Sequence, residues 1–287
     1  MVTVPPISVI IPTIDSLAQT RGAVQSALCQ SVPVTEVVVV NDGERRPLDA
    51  AALGGGDARV RVVDLPKNRG AAAARQAGVE TARGQLLAFL DADDRWLPGK
   101  LAHQLPLLQQ AEAECDLVMV ACGWIRGEES RASPRARIPI PSASVVDFAS
   151  GCWYCPGSTL LVSRGVFAAI GPFDARLRRL EDLDWGLRFA LGGGRLLVAP
   201  VLGARIEPSG RAGMVQILEA ARFIEARYRS ESRLTPRGFR HLRSYLALER
   251  AAAAWAAGAK FRAIGEFSYS LLMKPRLSLP LRRWWRS

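Results

Sequence analysis

Asp91, Asp93 and Asp94 fall within four consecutive positions, directly after the run Gln85–Leu90. Like charges a few ångströms apart raise one another's pKa, so such a cluster is costly unless a cation neutralises it. Its ligands are all oxygens, which favours magnesium or manganese held by one or two carboxylates plus substrate phosphates. Taken alone, three aspartates in a loop are more often a solvated turn or helix cap; their place after a buried strand is what points to a nucleotide diphosphate site. Asp42 follows the four valines Val37–Val40 and precedes Gly43. There a carboxylate suits ribose hydroxyls or a base N–H, or closes an Asx turn. Arg75 ends the run from Gly70 through four alanines, and a guanidinium facing strand ends can hold a phosphate bidentately. A third acidic group, Glu181, Asp182 and Asp184, lies on a predicted helix beginning near Arg178. Helical spacing sets residues 181, 184 and 185 on one side and 182 about 100° away. One of these carboxylates is suited to general-base work on a hydroxyl, with a capped, solvated helix face as the plainer alternative.

Ile7–Pro12 and Glu36–Asp42 are short, nearly continuous β-branched runs, as in strands buried on both faces of a parallel sheet. Leu17–Ser31 between them has helical spacing, giving a βαβ unit. Val60–Leu65 (strand), Ala71–Thr81 (helix) and Gln85–Leu90 (strand) continue the pattern. Four strands with helical crossovers predict a doubly wound α/β sheet, whose ligands sit beyond the carboxyl ends of the strands. No GxGxxG or GxxxxGK[ST] follows any of them, which disfavours a dinucleotide-binding domain and a P-loop NTPase. Further on, the sequence predicts a helix over Leu97–Ala113, a strand over Asp116–Ala121, a surface loop over Arg126–Ser144 and a strand over Ser158–Ser163. Beyond Glu207 the pattern is helical, with no internal repeat.

The 287 residues include 38 Lys plus Arg and 27 Asp plus Glu, for a net charge of +11, and 49% are hydrophobic. That excludes disordered, collagen-like and disulfide-scaffold classes. Residues 205–287 carry 17 basic and 6 acidic side chains, so the whole excess sits there. Cationic surface of this kind attracts polyanions: nucleic acid or an anionic membrane face. No run reaches the roughly 18–20 apolar residues that span a bilayer. The beginning of the chain lacks a basic leader region, and a cytosolic location is the expectation. Five cysteines agree with it. Cys152 and Cys155 have CxxC spacing, but zinc needs two more ligands, and His103 and His241 are both distant.

The stretches Ile7–Thr13, Val37–Gly43, Asn68–Arg75, Leu90–Trp96 and Gly171–Asp174 leading to Glu181–Trp185 together resemble the bacterial family 2 glycosyltransferases. The resemblance covers about residues 5–210. It implies a GT-A fold: a mixed α/β sheet with a Rossmann-like nucleotide-binding half, here a catalytic domain over 1–210 with a basic helical extension over 211–287. It also implies inverting transfer from a nucleotide-diphospho-sugar, commonly a UDP-sugar, to an acceptor hydroxyl in cell-surface polysaccharide or glycolipid synthesis. Carried over by position, Pro12, Thr13, Asp15, Asp42, Arg75 and Asp91 would meet the donor. Asp93 would bind a divalent Mn2+ or Mg2+ ion, and Asp182 would be the catalytic base. Gly157, Ser158, Glu181 and Trp185 are expected on the acceptor side, together with the 126–144 loop.

Three positions depart from the pattern. Ile14-Asp15 stands where relatives often have Tyr-Asn, Gln76 replaces an asparagine, and Glu207 takes the place of a histidine near the metal. Glutamate still binds these ions, so Glu207 is the expected second ligand. The rival reading is a non-catalytic nucleotide-sugar-binding or scaffold protein; retention of Asp91, Asp93 and Asp182 together favours the enzyme. The closing segment Leu277–Arg286 sets two tryptophans among arginines and leucines. That suits peripheral contact with an anionic membrane, where a lipid-linked acceptor would be found; a helical cap with a solvated basic face is the alternative. Nucleic acid is not expected as a partner, since no recognised module accompanies the charge.

Overall fold

The computed structural model describes residues 4–14, 16–43, 47–126, 135–207, 213–274 and 285–286. Strand and helix alternate at first: β1 (Ile7–Thr13), α1 (Leu17–Leu28), β2 (Glu36–Asn41), α2 (Ala50–Gly54), β3 (Val60–Asp64), α3 (Ala71–Thr81) and β4 (Leu86–Phe89). Next come β5 (Arg95–Trp96), α4 (Lys100–Glu112), β6 (Val118–Arg126), β7 (Arg135–Pro139), α5 (Val145–Phe148) and α6 (Pro156–Thr159). β8 (Leu161–Ser163), α7 (Arg164–Ile170), α8 (Glu181–Leu191) and β9 (Arg195–Ile206) lead into the helices α9 (Met214–Tyr228), α10 (Pro236–Ala256) and α11 (Lys260–Met273). A short β10 (Trp285–Arg286) closes the described chain.

The sheet runs β10-β7-β6-β8-β4-β1-β2-β3, with β9 beside both β6 and β5. β1 to β4 are parallel, and β8 enters antiparallel between β4 and β6. The mixed α/β sheet is thus the expected one. Register lays Thr13 beside Asn41 and Asn41 beside Asp64, so the carboxyl ends of β1, β2 and β3 form one ledge. Phe89 pairs with Ile10, and the chain leaves β4 at the same edge two residues before Asp91. Strand order reverses between β1 and β4, the switch point at which open α/β sheets leave a crevice. β5 pairs antiparallel with the end of β9, Arg95 opposite Arg205 and Trp96 opposite Ala204.

Alternation along the strands divides the interior. Val9, Ile11, Val37 and Val39 pack with α1 and α4 residues such as Val24 and Leu108. Ile10, Val38 and Val40 belong to the opposite core with Ala74 of α3 and Phe189 of α8, which Ile224 and Tyr228 of α9 and Leu242 and Leu246 of α10 also enter. The helical extension therefore shares a core with the sheet. The expected division at 210/211 lies outside the described residues.

Four expectations need correction. Part of the 126–144 segment is not loop: β7 pairs antiparallel with β6, the alternation of Arg135 and Arg137 with Ala136 and Ile138 being masked by its charge. The helix expected from Leu97 starts at Lys100, because Gly99 takes a left-handed conformation with φ of 80°. Pro156–Thr159 turn helically before a strand of only three residues. α8 starts at Glu181 rather than Arg178 because Leu180 is left-handed, with φ of 61°. Of the closing segment, only β10 is described; it pairs with β7, Trp285 opposite Pro139.

Gly78 is where α3 touches the sheet. A Cβ there would lie 2.4 Å from Ile10 Cγ2 and 3.3 Å from Val40 Cγ2, both side chains fully buried. Overpacking of this kind costs about 1–3 kcal/mol, against about 1 kcal/mol of helix propensity gained by alanine. Gly78→Ala is expected to lower stability by about 1 kcal/mol net, read as a lower urea midpoint at unchanged slope.

Candidate active site

The crevice is organised by a buried cation. Arg75 on α3 is 5% exposed. Its Nη2 donates to Asp91 at 2.7 Å, and its Nη1 donates to Glu181 at 2.7 Å and Asp182 at 3.4 Å. Three carboxylates from two separate stretches of chain are thereby held at one point, and Arg75 Nε remains without a partner. Gly157 makes the closeness feasible, since a Cβ there would sit 2.3 Å from Asp91 Oδ2. Leu180 stores backbone strain in the left-handed region, which a branched residue rarely visits. Its turn directs both first-turn carboxylates of α8 at Arg75, so Asp182 joins Glu181 despite the angular separation expected from the helix. Asp184 does not join them. It is fully buried on the opposite side, accepting from Arg188 Nε at 3.0 Å and Tyr228 Oη at 2.9 Å.

The aspartates after β4 are fixed from behind by Ser158. Its Oγ accepts from Asp91 N at 3.0 Å and donates to Asp94 at 2.5 Å, while Trp96 Nε1 donates to its carbonyl at 2.9 Å. The other oxygen of Asp94 accepts from Glu207 N at 2.9 Å. Burial, then the charge of Asp91, pushes the Asp94 carboxyl up to about 7. Asp42 accepts from the backbone N–H groups of Arg69 and Gly70, each at 2.7 Å. It thus shapes the turn into α3, at which Gly70 adopts a φ of 91°. Thr13 Oγ1 shares a hydrogen bond with Thr20 Oγ1 at 2.7 Å.

A cavity of about 680 Å³ opens between these groups and the helical extension, within the range of small-molecule sites. Pro12, Thr13, Asp42, Arg75, Asp91 and Asp93 line it toward the strand ends, and Glu181 and Asp182 line it from α8. Sequence reasoning missed the remaining wall: Cys152, Arg179, Ile217 of α9, and Tyr245, Glu249, Ala252, Ala253 and Ala256 of α10. The available signal was the helical spacing of Tyr245, Glu249, Ala252 and Ala256, which puts them on one stripe. Gly157, Ser158, Trp185 and Glu207 are not part of the cavity wall. Trp185 is 2% exposed and stacks with Phe173 and Phe189 at centroid distances of 5.5 and 6.0 Å, so it is core rather than an acceptor platform. Asp15 lies outside the described residues; Ile14 and Ser16 on either side of it line the cavity. Cys152 and Cys155 are free thiols.

Electrostatics separate the carboxylates by role. Burial raises Asp182 to about 7, with Glu181 and Asp91 adding to the rise and Arg75 opposing it. Burial likewise lifts Asp93, and the charges of Asp91 and Glu207 push it further. Among the described residues no three His, Cys, Asp or Glu side chains converge to cage a metal. Asp93 and Glu207 are nevertheless hard oxygen donors near enough for the charge of Glu207 to act on Asp93, a chemistry that would suit a hard divalent cation.

A model of glycosyl transferase family 2 matches residues 8–171, a span that contains β1 to β4, Arg75 and the Asp91–Asp94 cluster. The chain belongs to glycosyl transferase family 2. Its similarity to an uncharacterized glycosyltransferase of Rickettsia prowazekii is 30% identity over 191 residues, covering 64% of this chain and 58% of that protein. With the succinoglycan biosynthesis protein ExoO of Rhizobium meliloti it is 28% identity over 212 residues, 72% and 59% of the two chains. The family 2 chain thus aligns with a little under three-fifths of the length of these relatives. The crystal structure of TarS residues 1–349 from S. aureus superposes with a TM-score of 0.59 at 14% identity, over 95% of this chain and 93% of that one, a likeness of fold.

Removing the cation at position 75 leaves the nearly buried Glu181 and its neighbours unpaired. Arg75→Met is expected to cost about 3–5 kcal/mol at neutral pH by urea unfolding. The deficit should shrink as pH falls toward 5, because protonation relieves the abandoned carboxylates.

Proposed function

We propose that this family 2 chain moves a sugar, with inversion, from a nucleotide-diphospho-sugar to an acceptor hydroxyl on a saccharide or lipid-linked saccharide. A UDP-sugar is the donor proposed, and cell-surface polysaccharide or glycolipid synthesis the setting, a reading to which the name of ExoO lends support. The observation that carries it is one cavity bearing a nucleotide-type ledge at Pro12, Thr13 and Asp42 and a basic carboxylate at Asp182. Each oxygen of Asp42 engages one backbone N–H, leaving lone pairs for ribose hydroxyls. Asp93 and Glu207 would hold Mn2+ or Mg2+, which when bound offsets the charge growing on the departing diphosphate. Asp182 accepts the proton of the attacking hydroxyl on the far side of the sugar, and its raised pKa brings it near the value at which a general base works best at neutral pH. Arg75 keeps Asp182 ionised enough to act and fixes its direction.

A base works only when ionised, so the rate must rise with pH through the folded-state pKa of Asp182. Transfer from a UDP-sugar is expected to lose activity on the acid side of about pH 7. Asp182→Asn should remove that limb and lower kcat by about 10²–10⁴, the usual contribution of a positioned base, with UDP affinity retained. Calorimetry with UDP, with and without manganese, completes the test. No nucleotide binding by folded protein, or binding unaffected by Asp93→Ala, would turn the reading toward the non-catalytic alternative.

Peripheral contact with an anionic membrane at the cytoplasmic face belongs to the same proposal. Its support is no longer only the closing segment, most of which lies outside the described residues. Trp255 at 60%, Phe261 at 94%, Ile264 at 57% and Leu272 at 75% exposure stand out around α11, beside Lys260 and Arg262. No described helix is long and apolar enough to cross a membrane. Cosedimentation with phosphatidylglycerol vesicles, but not phosphatidylcholine vesicles, is expected for the parent chain, and Phe261→Glu with Leu272→Glu should abolish it.

A further inference from the structure

The described cavity has one wall that neither the family match nor the sequence motifs reach. It is the stripe of α10 formed by Tyr245, Glu249, Ala252, Ala253 and Ala256, all of it beyond residue 171, where the family match ends. Glu249 is the only ionisable carboxylate that α10 contributes to the cavity lining. It is not loosely placed. Tyr245, one helical turn earlier on the same stripe, lines the cavity beside it and turns its hydroxyl toward the Glu249 carboxylate. The Tyr245 ring is itself lodged against Gly151, where a Cβ would come within 2.6 Å of Cε2. The charge of Arg179, immediately before the strained Leu180, acts on Glu249 from the side that carries Asp182. Burial raises the Glu249 carboxyl, with Tyr245 and Arg179 opposing the rise. The group is thus a partly desolvated, oriented acceptor facing the same space as the base.

We propose that Glu249 binds the acceptor, holding hydroxyls of a neutral sugar while Asp182 takes the proton of its neighbour. Tyr245 is the positioning residue. A carboxylate has about four acceptor sites. Even with one turned toward Tyr245, enough remain for two vicinal hydroxyls. Ala252, Ala253 and Ala256 keep the wall beside it flat and apolar, as the C–H face of a pyranose requires. The charge of the surroundings sets the ligand class. Glu249, Glu181, Asp182, Asp42, Asp91 and Asp93 outnumber Arg75 and Arg179 in the cavity lining, so a uronate or phosphorylated sugar in this subsite would meet net repulsion. The acceptor residue is therefore uncharged, and its contact is made by the helical extension rather than by the nucleotide-binding half. This inference rests on the glycosyl-transfer reading of the cavity.

Saturation-transfer NMR on the full chain with the methyl glycosides of glucose, galactose, mannose and glucuronic acid tests it, with UDP and manganese calorimetry run on the same samples. At least one neutral glycoside is expected to bind, and the glucuronide to bind more weakly than every one that does. Glu249→Gln should weaken that neutral glycoside about tenfold, and Tyr245→Phe about threefold, as expected for hydrogen bonds to or holding a charged group. UDP affinity should stay within about twofold in both variants, the difference expected when the altered hydrogen bond belongs to another subsite. A general loss of structure would instead move UDP binding as well. No neutral glycoside bound by the parent chain, unchanged glycoside binding in Glu249→Gln, or a preference for the glucuronide would overturn the proposal. Glycoside binding with no UDP binding would sink the donor reading and leave the Glu249 subsite standing.

Discussion

The structure turns on a single guanidinium taken out of water. Arg75 is paid for by Asp91 and Glu181 at 2.7 Å, with Asp182 further off at 3.4 Å. A buried ion pair of this kind is weak evidence for stability, because desolvation offsets most of the attraction, but breaking it is expensive. Its value lies in geometry. The turn after β4 delivers Asp91, α8 delivers Glu181 and Asp182, and Arg75 is bonded to all three. The cluster ties the strand-end side of the cavity to the first turn of α8, while Gly157 and Ser158 lie against it without lining the cavity.

Much of this arrangement is legible in the residues, and what is not has a physical reason. The valine run of β2 and the isoleucine-rich β1 announce a sheet buried on both faces, and helices do cover both. Asp42 and Asp91 are readable as site residues because they directly follow such runs. Trp185 misleads, since an aromatic after an acidic pair reads as a stacking platform for sugar; the partners that make it core, Phe167, Phe173 and Phe189, are spread along the chain. β7 is hidden because arginines at positions 135 and 137 give its alternation the look of a charged loop. Leu180 could not be read at all, since left-handed backbone at a leucine is dictated by its surroundings rather than its type.

The helical extension is the part whose meaning changes most between sequence and structure. Its charge suggests an appendage with its own partners, yet Ile224, Tyr228, Leu242 and Leu246 are core residues of the catalytic fold. Tyr228 accounts for the buried Asp184, which would otherwise face the interior with only Arg188 and Arg227 nearby. Among the described residues, part of the extension's basic excess is taken up in ion pairs between these helices, Arg243 with Glu225 and Arg250 with Glu266, while the stripe of α10 at Tyr245 and Glu249 closes the cavity. One helical layer thus contributes both to the core and to the cavity wall.

The two-residue strand β5 has a consequence out of proportion to its size. By pairing Arg95 with Arg205 and Trp96 with Ala204, it joins positions more than a hundred residues apart along the chain immediately beside Asp93 and Glu207. The separation of those two carboxylates is therefore set by a local ladder and by the Asp94 to Glu207 hydrogen bond, not by the length of what lies between. Chain closure depends only weakly on loop length. A change of length in the connection through α5 would therefore leave the spacing of Asp93 and Glu207 in place.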